Sequence, residues 1–234
     1  MITTGKLIKD NLELIRKLIR ESSERANRLP ADVKILAATK RQSIEKLRCL
    51  LELNLNIFGE NYLQEALPKK VEFEKSKVHW HFIGAVQKNK CKQLAGNFEL
   101  IHGMDSLSAL AELEKRGLSD SPQKFLLQVN VSGETSKSGI QEEQFAEFFD
   151  FILKCKNIQL CGFMTMPPIA EVAEASRKYF AQLKGLQLKY IPRLKGTVHH
   201  LDELSMGTSQ DFEVAIQEGA TIVRLGSILL GKRE

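Results

Sequence analysis

The sequence predicts an α/β fold in which a single TIM-type (β/α)8 barrel is preceded by an extra N-terminal helix. Eight short apolar runs alternate with longer amphipathic segments along the 234 residues, which is the pattern of a parallel sheet coated by helices. The runs carry too few polar residues to be strands with one face in water. The first run is not followed by the glycine fingerprint that would favour an open doubly wound sheet. We therefore expect residues 1–234 to form one barrel domain.

Each element has its own signal in the sequence. The first segment, residues 4–28, places apolar side chains three and four apart, and Pro30 marks its end. The eight predicted strands are 33–39, 56–60, 80–84, 100–104, 125–131, 160–165, 201–206 and 221–225. Helical spacing also predicts helices at 43–53, 107–116, 142–156, 170–186 and 210–218. In such barrels the functional groups lie on the loops that follow the strands, so the residues after each run are the candidates for a site.

The composition favours a globular protein with a small anionic ligand. The net charge is +5 and the pI is near 8.9, but Lys and Arg alternate with Glu as on solvated helix faces. The basic cluster at 87–92 lacks interleaved aromatic residues, so no nucleic-acid partner is expected. The first residues lack the apolar core of a secretion signal, and no stretch is apolar enough to span a membrane. We expect a cytoplasmic protein without membrane contact, whose four cysteines are reduced and structural.

Lys40 closes the first apolar run, and two glycine-bearing turns close the last two runs. These turns contain Ser205 and Gly207 after the seventh run, and Gly226 and Ser227 after the eighth. A lysine amine of lowered pKa forms a Schiff base with an aldehyde, while backbone N–H groups and short hydroxyls at helix N-termini hold phosphate. Loops after strands seven and eight are a recurrent phosphate site in this kind of barrel. We therefore expect a phosphorylated aldehyde as ligand, and pyridoxal 5'-phosphate is the obvious candidate.

Arg224 lies two residues before Gly226, so both residues face the same side of the last strand. An arginine inside a barrel needs an anionic or acceptor partner, and the pyridine nitrogen of the cofactor could supply one. Because arginine keeps its proton, that nitrogen would stay unprotonated and the ring would be a weak electron sink. The alternative is an ion pair between Arg224 and a core carboxylate such as Glu60 or Glu203.

Two other kinds of site are less consistent with the sequence. A metal-dependent hydrolase would need histidines to converge, but most stand away from the end of the barrel at which Lys40 is expected. The residues concerned are His79, His81, His102, His199, His200 and Asp202. Residues 226–232 echo a phosphate-binding G-x-x-x-x-G-K loop, yet Arg233 replaces the required Ser or Thr. A polar loop at 132–139 carries Lys137, which could reach the barrel mouth.

Several long motifs, all in the right order, resemble the pyridoxal phosphate homeostasis protein family. They are LAATK at 36–40, FGENYLQE at 58–65, HWHFIG at 79–84, QKNK at 87–90, VNV at 129–131, KSGI at 137–140, GFMTM at 162–166, LSMG at 204–207 and VRLGS at 223–227. The resemblance spans nearly the whole chain. The departures are Arg41, Gly103 and Ser227, and none removes a functional group that the cofactor needs.

This resemblance implies a barrel of the alanine racemase type, expected here as a monomer. It places seven residues around the cofactor: Lys40, Asn61, Ser205, Gly207, Arg224, Gly226 and Ser227. In the arrangement that it implies, Lys40 carries pyridoxal 5'-phosphate as a Schiff base and Arg224 lies near the pyridine nitrogen. The two glycine turns surround the phosphate.

The resemblance also implies a carrier of the cofactor rather than an enzyme. Racemases of similar barrel type take a second base, commonly a tyrosine, from an additional β domain, whereas this sequence stops just after the eighth predicted strand. The first hypothesis is therefore a carrier that captures pyridoxal 5'-phosphate, buffers its aldehyde and delivers it to apoenzymes. The alternative is a cofactor-dependent amino-acid racemase or lyase with a base on the loops after strand five or six.

Overall fold

The computed structural model describes residues 4–231 and contains a closed barrel. Its strands are β1 (Lys34–Ala38), β2 (Ile57–Glu60), β3 (His79–Phe82), β4 (Leu100–Met104), β5 (Gln123–Gln128), β6 (Ile158–Met164), β7 (Glu203–Thr208) and β8 (Ile222–Leu225). Its α-helices are α1 (Thr4–Arg25), α2 (Ile44–Glu52), α3 (Leu63–Glu72), α4 (Cys91–Leu94), α5 (Leu107–Arg116), α6 (Phe145–Ile152), α7 (Arg177–Tyr190), α8 (Phe212–Gln217) and α9 (Ser227–Leu230). The strands follow chain order around the barrel and neighbouring strands are parallel. The predicted fold class is confirmed, including the helix before the first strand.

The last strand pairs with the first and so closes the barrel. Lys34 of β1 lies beside Ile222 of β8 in this register. Helix α1 packs outside the seam against α8 and α9, and Asn11 donates a hydrogen bond from Nδ2 to the Leu229 carbonyl at 3.1 Å. The outside of the barrel is thereby covered next to the loops that follow β1 and β8.

The predicted strand bounds are close to the observed ones, whereas the helix predicted at 170–186 begins at Arg177, after a short 3-10 helix at Ala173–Ser176, and ends at Tyr190. Strand β7 begins at Glu203, because the Leu201 carbonyl accepts a hydrogen bond from Gln187 of α7 instead of joining the sheet. The sequence does not predict α3, because Pro68 lies inside this helix and removes one backbone donor. This helix is important for the site because it carries Lys69.

Apolar side chains form two layers, one between the sheet and the helices and a smaller one inside the barrel. The inner layer consists of Leu36, Leu100, Leu126, Cys161, Met164 and Ile222. Gly162 creates a bulge in β6, with φ at 155° and its Cα so close to β7 that an added Cβ would lie 1.9 Å from the Glu203 carbonyl oxygen. The inner layer fills the middle of the barrel and separates its two mouths.

Two further observations concern the chain as a whole. Within residues 4–231, no helix is both long enough and apolar enough to cross a membrane. The four cysteines are free thiols. Burial raises the pKa of Cys91 to about 11 and the pKa of Cys155 and of Cys161 to about 12, which makes these three poor nucleophiles at neutral pH.

Candidate cofactor-binding site

A cavity of about 260 Å³ lies at the carboxyl mouth, the end of the barrel at which the strands terminate. Its lining consists of Ala38, Lys40, Asn61, Ile83, Met166, Thr208, Ser209, Gln210, Arg224, Gly226 and Ser227. Five of the seven predicted site residues are therefore brought together in one cavity. The other two, Ser205 and Gly207, lie beside the cavity and have other contacts.

A tight turn after β1 positions Lys40. The Gln42 N–H donates to the Thr39 carbonyl at 3.1 Å, so Lys40 occupies the second position of the turn. Arg41 follows with a φ of 55°, a left-handed conformation that costs free energy for a residue with a side chain. Its N–H donates to a carboxylate oxygen of Glu65 on α3 at 2.8 Å. This hydrogen bond stabilises the strained turn. It therefore also fixes the backbone of Lys40 at the end of β1.

A buried ion pair lies beneath the same turn. The Lys69 ammonium donates to Glu60 Oε1 and to the Thr39 carbonyl, both at 2.8 Å, and the Thr39 hydroxyl donates to Glu60 Oε1 at 2.6 Å. Burial raises the pKa of Glu60, while the hydrogen bonds from Lys69 and Thr39 oppose that rise. The network joins the ends of β1 and β2 to α3. It thereby fixes the backbone from which Lys40 and Asn61 follow these two strands.

Arg224 is a buried cation whose partners are neutral. Its side chain is 5% exposed, and its Nη1 donates to the carbonyl and the hydroxyl of Ser205 at 2.7 Å, while Nη2 donates to the Thr165 carbonyl at 2.9 Å. These bonds use three of the five guanidinium N–H groups, so two have no acceptor within residues 4–231. Burial lowers the pKa of Arg224 to about 10, against the opposing charge of Asp211, so the side chain stays charged at pH 7.

The alternative ion pair suggested for Arg224 is not formed. Glu60 is paired with Lys69 at 2.8 Å, and Glu203 is paired with Lys34 at the opposite end of the barrel. Among the described residues, Arg224 therefore has no carboxylate partner within ion-pair distance. A buried cation of this kind is balanced best by an acceptor that a ligand brings.

Ser205 and Gly207 support the site from positions outside its lining. Ser205 is fully buried, and its hydroxyl bonds Arg224 on one side and His102 Nδ1, at 2.8 Å, on the other. Gly207 has a φ of 89°, and an added Cβ would lie 2.6 Å from the Ala215 Cβ and 2.9 Å from the Phe212 Cα. Ser205 therefore holds the arginine in place, while Gly207 allows β7 to approach α8.

The turns after β7 and β8 meet at the hydroxyl of Ser209. The backbone N–H groups of Gly226 and Ile228 both point at this oxygen over 3.4 Å, which is long for a hydrogen bond. An oxygen atom brought by a ligand could accept these N–H groups at a shorter distance. Thr208 is fixed beside them, because its N–H donates to Asp211 Oδ1 at 2.7 Å.

Asn61, directly after β2, carries a buried acceptor. Its Oδ1 has no hydrogen-bond donor among the described residues, and its backbone touches Gly84, where an added Cβ would lie 2.3 Å from the Asn61 carbonyl oxygen. The close approach fixes the Asn61 backbone. Its side chain lines the cavity at the end of β2, the strand next to β1, where a ligand could donate a hydrogen bond to the amide oxygen.

Sequence reasoning did not select six of the lining residues: Ala38, Ile83, Met166, Thr208, Ser209 and Gln210. The signal for Ser209 was available, because this serine lies two residues after Gly207 and three residues before the helix that begins at Phe212. Ile83 and Met166 have no chemical signal in the sequence, because apolar residues after strands also occur in the core. Their contribution is to form apolar walls between the polar groups.

The histidines lie apart from Lys40. His79, His81 and His200 line a different cavity at the amino mouth, the end at which the strands begin, and His102 is fully buried between the two mouths. Over residues 4–231, no group of three or more His, Cys, Asp or Glu side chains could hold a metal ion. The histidines do not join the carboxyl-mouth cavity.

The fold and the site together define a class: a parallel (β/α)8 barrel with a lysine, a buried arginine and a serine-bearing glycine turn around one cavity at its carboxyl mouth. The sequence matches the family model described as the alanine racemase N-terminal domain over residues 6–234. The chain belongs to this family, and within it to the pyridoxal phosphate homeostasis proteins. The resemblance inferred from the sequence motifs is thereby confirmed.

Relatives and solved structures support this membership over nearly the full length. A protein of Pseudomonas aeruginosa named pyridoxal phosphate homeostasis protein is 41% identical over 97% of this chain and 96% of its own. A protein of Aquifex aeolicus with the same name is 38% identical over 96% of this chain and 98% of its own. A structure of PipY from Synechococcus elongatus with PLP bound has a TM-score of 0.79 and 27% identity, covering 91% of this chain and 100% of that chain.

Proposed function

We propose that this protein binds pyridoxal 5'-phosphate covalently at Lys40 and serves in the intracellular homeostasis of the cofactor, as a carrier that buffers it and delivers it to apoenzymes. The observation that carries the proposal is the buried, charged Arg224, which has no carboxylate partner among the described residues and shares a cavity with Lys40. The names of the relatives and the bound ligand of PipY support the same ligand.

The groups around the cavity fit this cofactor. Pyridoxal 5'-phosphate supplies an aldehyde that condenses reversibly with primary amines, with loss of water, and a phosphate that needs several donors. Lys40 provides the amine at the end of β1, and Arg224 provides guanidinium donors on β8. The backbone N–H groups of Gly226 and Ile228 converge on one oxygen, as phosphate sites require. The Asn61 acceptor without a donor completes a polar lining on the remaining side.

The electrostatics of the site favour holding the cofactor over reacting with it. A guanidinium only donates hydrogen bonds, so an aromatic nitrogen that faces Arg224 stays unprotonated. A ring with an unprotonated nitrogen withdraws less electron density. It therefore stabilises a substrate carbanion less well. In the part of the chain that the structure describes, Lys40 and Arg224 are also the only ionisable side chains in the cavity lining, so a reaction that needs two bases lacks one of them.

The first experiment locates the bond to the cofactor. Wild-type protein incubated with pyridoxal 5'-phosphate should show an absorbance band in the visible range, and borohydride reduction should leave a mass adduct on the peptide that contains Lys40. Lys40→Ala should lose both signals. Lys75→Ala is the matched control, because Lys75 is exposed and lies outside the cavity, and it should retain both. A colourless saturated wild type, or an adduct on another side chain, would overturn the proposal.

The second experiment separates a carrier from an enzyme. The loaded protein should restore activity to an apo-aminotransferase, and it should exchange almost none of the α-hydrogen of added amino acids with deuterated water. The alternative, an amino-acid racemase or lyase, requires that exchange, and the unpaired donors of Arg224 beside Lys40 would then serve a substrate. Rapid exchange at catalytic amounts of protein would establish the alternative. The delivery to apoenzymes, the monomeric state and the cytoplasmic location remain predictions.

A further inference from the structure

A second cavity, of about 330 Å³, opens at the amino mouth of the barrel and is not used by the proposed function. Its lining consists of Lys34, Asn56, Ile57, His79, His81, Glu99, Leu100, Lys124, Cys161, His200, Glu203 and Ile222. The volume lies at the lower end of the range for small-molecule sites, which is about 300–1,000 Å³. The lining combines an apolar wall with ionisable groups of both signs, so the charges decide which ligand the cavity suits.

The two carboxylates of this cavity already have partners. Glu203 is paired with Lys34 and accepts a hydrogen bond from the Thr221 hydroxyl at 2.6 Å, and Glu99 is hydrogen-bonded to His79. The Lys124 ammonium lies on β5 at the same rim and forms no ion pair or hydrogen bond within residues 4–231, although its charge helps to lower the pKa of Glu99. The cavity therefore presents a cation that an anionic ligand could neutralise.

A chain of hydrogen bonds through the barrel interior determines what His81 presents to this cavity. The Arg224 guanidinium can only donate, so the Ser205 hydroxyl oxygen is its acceptor at 2.7 Å. The Ser205 hydroxyl hydrogen then has one acceptor, His102 Nδ1 at 2.8 Å. His102 Nε2 in turn lies 3.0 Å from His81 Nδ1. Only the arrangement in which Ser205 donates to His102 and His102 donates to His81 gives the buried Ser205 hydroxyl hydrogen an acceptor within residues 4–231.

The same arrangement fixes the tautomers of both rings. Burial lowers the pKa of His102 well below its ordinary value and the pKa of His81 to about 4, so each ring carries one proton at pH 7. His102 carries it on Nε2, which donates to His81 Nδ1, and His81 must then carry its own on Nε2. The His81 residue is 5% exposed, and its side chain makes no other hydrogen bond within residues 4–231. His81 lines the amino-mouth cavity, so this N–H has no acceptor from the described chain and is accessible to a ligand in the cavity.

We propose that the amino-mouth cavity is a second binding site, for a small organic monocarboxylate with an apolar body. The carboxylate accepts from the His81 Nε2–H and from the Lys124 ammonium, and the apolar body packs against Ile57, Leu100 and Ile222. A monoanion suits the site better than a phosphate dianion, because Glu99 and Glu203 at the same rim repel additional negative charge. The site requires neither the cofactor nor Lys40.

The tautomer is tested first, without a ligand. In protein labelled with ¹⁵N-histidine, the ring nitrogen shifts at pH 7 should show His81 and His102 neutral and protonated on Nε2. Protonation of His81 on Nδ1 would remove the donor from the cavity and overturn the proposal. His200→Asn, at a partly buried rim position outside the interior chain, identifies the signals of His200.

Ligand binding is then measured with benzoate, butyrate and 3-phenylpropionate, and with benzamide as the neutral counterpart of benzoate. At least one carboxylate should shift the His81 Nε2 signal saturably, and benzamide should bind at least tenfold more weakly than benzoate. Lys124→Gln should raise the dissociation constant of that carboxylate about tenfold, which corresponds to about 1.4 kcal/mol. Lys75→Gln, an exposed lysine outside the cavity, should leave it unchanged.

The possible outcomes separate this site from the cofactor site. The proposal is wrong if none of the three carboxylates shifts His81, if benzamide binds as well as benzoate, or if Lys124→Gln has no greater effect than Lys75→Gln. Lys124 is exposed on the surface, so its replacement should not prevent folding. Lys40→Ala should retain the carboxylate response, and therefore a failure of the cofactor proposal leaves this result interpretable.

Discussion

The two mouths of the barrel hold their charges differently. At the carboxyl mouth the ion pair between Lys69 and Glu60 is buried, with 10% and 0% of the two side chains exposed, and the described lining of the cavity contains cations without carboxylates. At the amino mouth, the pair of His79 with Glu99 is about half exposed on both sides. The carboxyl mouth is a buried frame around a cationic cavity, whereas the amino mouth is a solvent-exposed rim of paired side chains with one additional cation, Lys124.

This difference shows where charge contributes to stability and where it contributes to recognition. A buried pair is expensive to break, because removal of one partner leaves a charge without solvent, so the carboxyl mouth is rigid before a ligand arrives. Exposed pairs contribute little and exchange partners easily, so the amino mouth can adapt to a ligand. The buried chain from Arg224 through Ser205 and His102 to His81 runs between the two environments.

The largest expected effect comes from breaking the buried pair of the carboxyl mouth. Lys69→Met should lower the free energy of unfolding by about 3–5 kcal/mol, because Glu60 loses its cationic partner in a dry environment. Glu60 then retains one hydrogen bond, from Thr39 at 2.6 Å, and its pKa should rise further, because Lys69 no longer opposes the effect of burial. Urea denaturation measures the stability loss.

A double variant provides the control for that prediction. Lys69→Met combined with Glu60→Gln removes both charges, and it should recover part of the loss that Lys69→Met alone produces. If the double variant is as unstable as the sum of the two single variants, Lys69 acts through its packing and not through the charge of Glu60. The description of the carboxyl mouth as an electrostatic frame would then be wrong.

The second prediction concerns pH and the buried histidines near the amino mouth. Burial lowers the pKa of folded His81 from 6.5 to about 4, so between these values the unfolded chain binds a proton that the folded chain does not. Stability should therefore be complete above pH 6.5 and fall as the pH drops toward 4, by about 3 kcal/mol from His81 alone. His102 changes the stability in the same direction.

Urea denaturation between pH 7 and pH 4 measures this effect as a difference between variants. His81→Gln keeps an acceptor for the His102 Nε2–H but does not titrate, so its stability should depend less steeply on pH than that of the wild type. His200→Asn, at a partly buried position outside the interior chain, should change the slope less than His81→Gln does. Equal slopes for wild type and His81→Gln would mean that His81 is solvated in the folded protein.

The sequence predicts the barrel and most of the carboxyl mouth, because these depend on local signals. Apolar runs give the strands, and Lys40 and Gly226 are recognisable from their places after the first and last runs. The hydrogen-bond chain through the barrel interior, from His81 through His102 to Ser205, could not be predicted from the sequence. The contact between His102 and Ser205 joins residues that are 103 positions apart. The period-two pattern gives the side of a strand on which a residue lies, but not the residue that it meets across the barrel.

A smaller effect is expected at the turn after β8. Gly226→Ala adds a Cβ whose nearest protein atoms would be the Ala38 Cβ at 3.7 Å and the Ala38 carbonyl oxygen at 3.9 Å, so the protein has room for it. The added methyl group would occupy the cavity where we place the phosphate. The dissociation constant of pyridoxal 5'-phosphate, measured by absorbance titration, should rise about tenfold, or about 1.4 kcal/mol.

Gly185→Ala is the control for this variant. Gly185 lies in α7 with no atom within 4 Å of an added Cβ, so its replacement should stabilise the helix slightly and leave the affinity for the cofactor unchanged. Unchanged affinity in Gly226→Ala would show that the phosphate is held elsewhere. The two glycine variants compare a methyl group that enters the cavity with one that does not.

The smallest effect tests the contrast between the mouths with one kind of substitution. Lys34→Met removes the cation paired with Glu203, just as Lys69→Met removes the cation paired with Glu60, but 48% of the Lys34 side chain is exposed. Solvent screens the pair, and Glu203 keeps the hydrogen bond from Thr221 at 2.6 Å. The expected loss of unfolding free energy is therefore less than about 1 kcal/mol.

The loss in Lys34→Met should also be smaller in 1 M NaCl, whereas the loss in Lys69→Met should not, because salt screens exposed pairs far more than buried ones. Equal losses in the two variants at low and high salt would mean that the two mouths do not differ in their electrostatics.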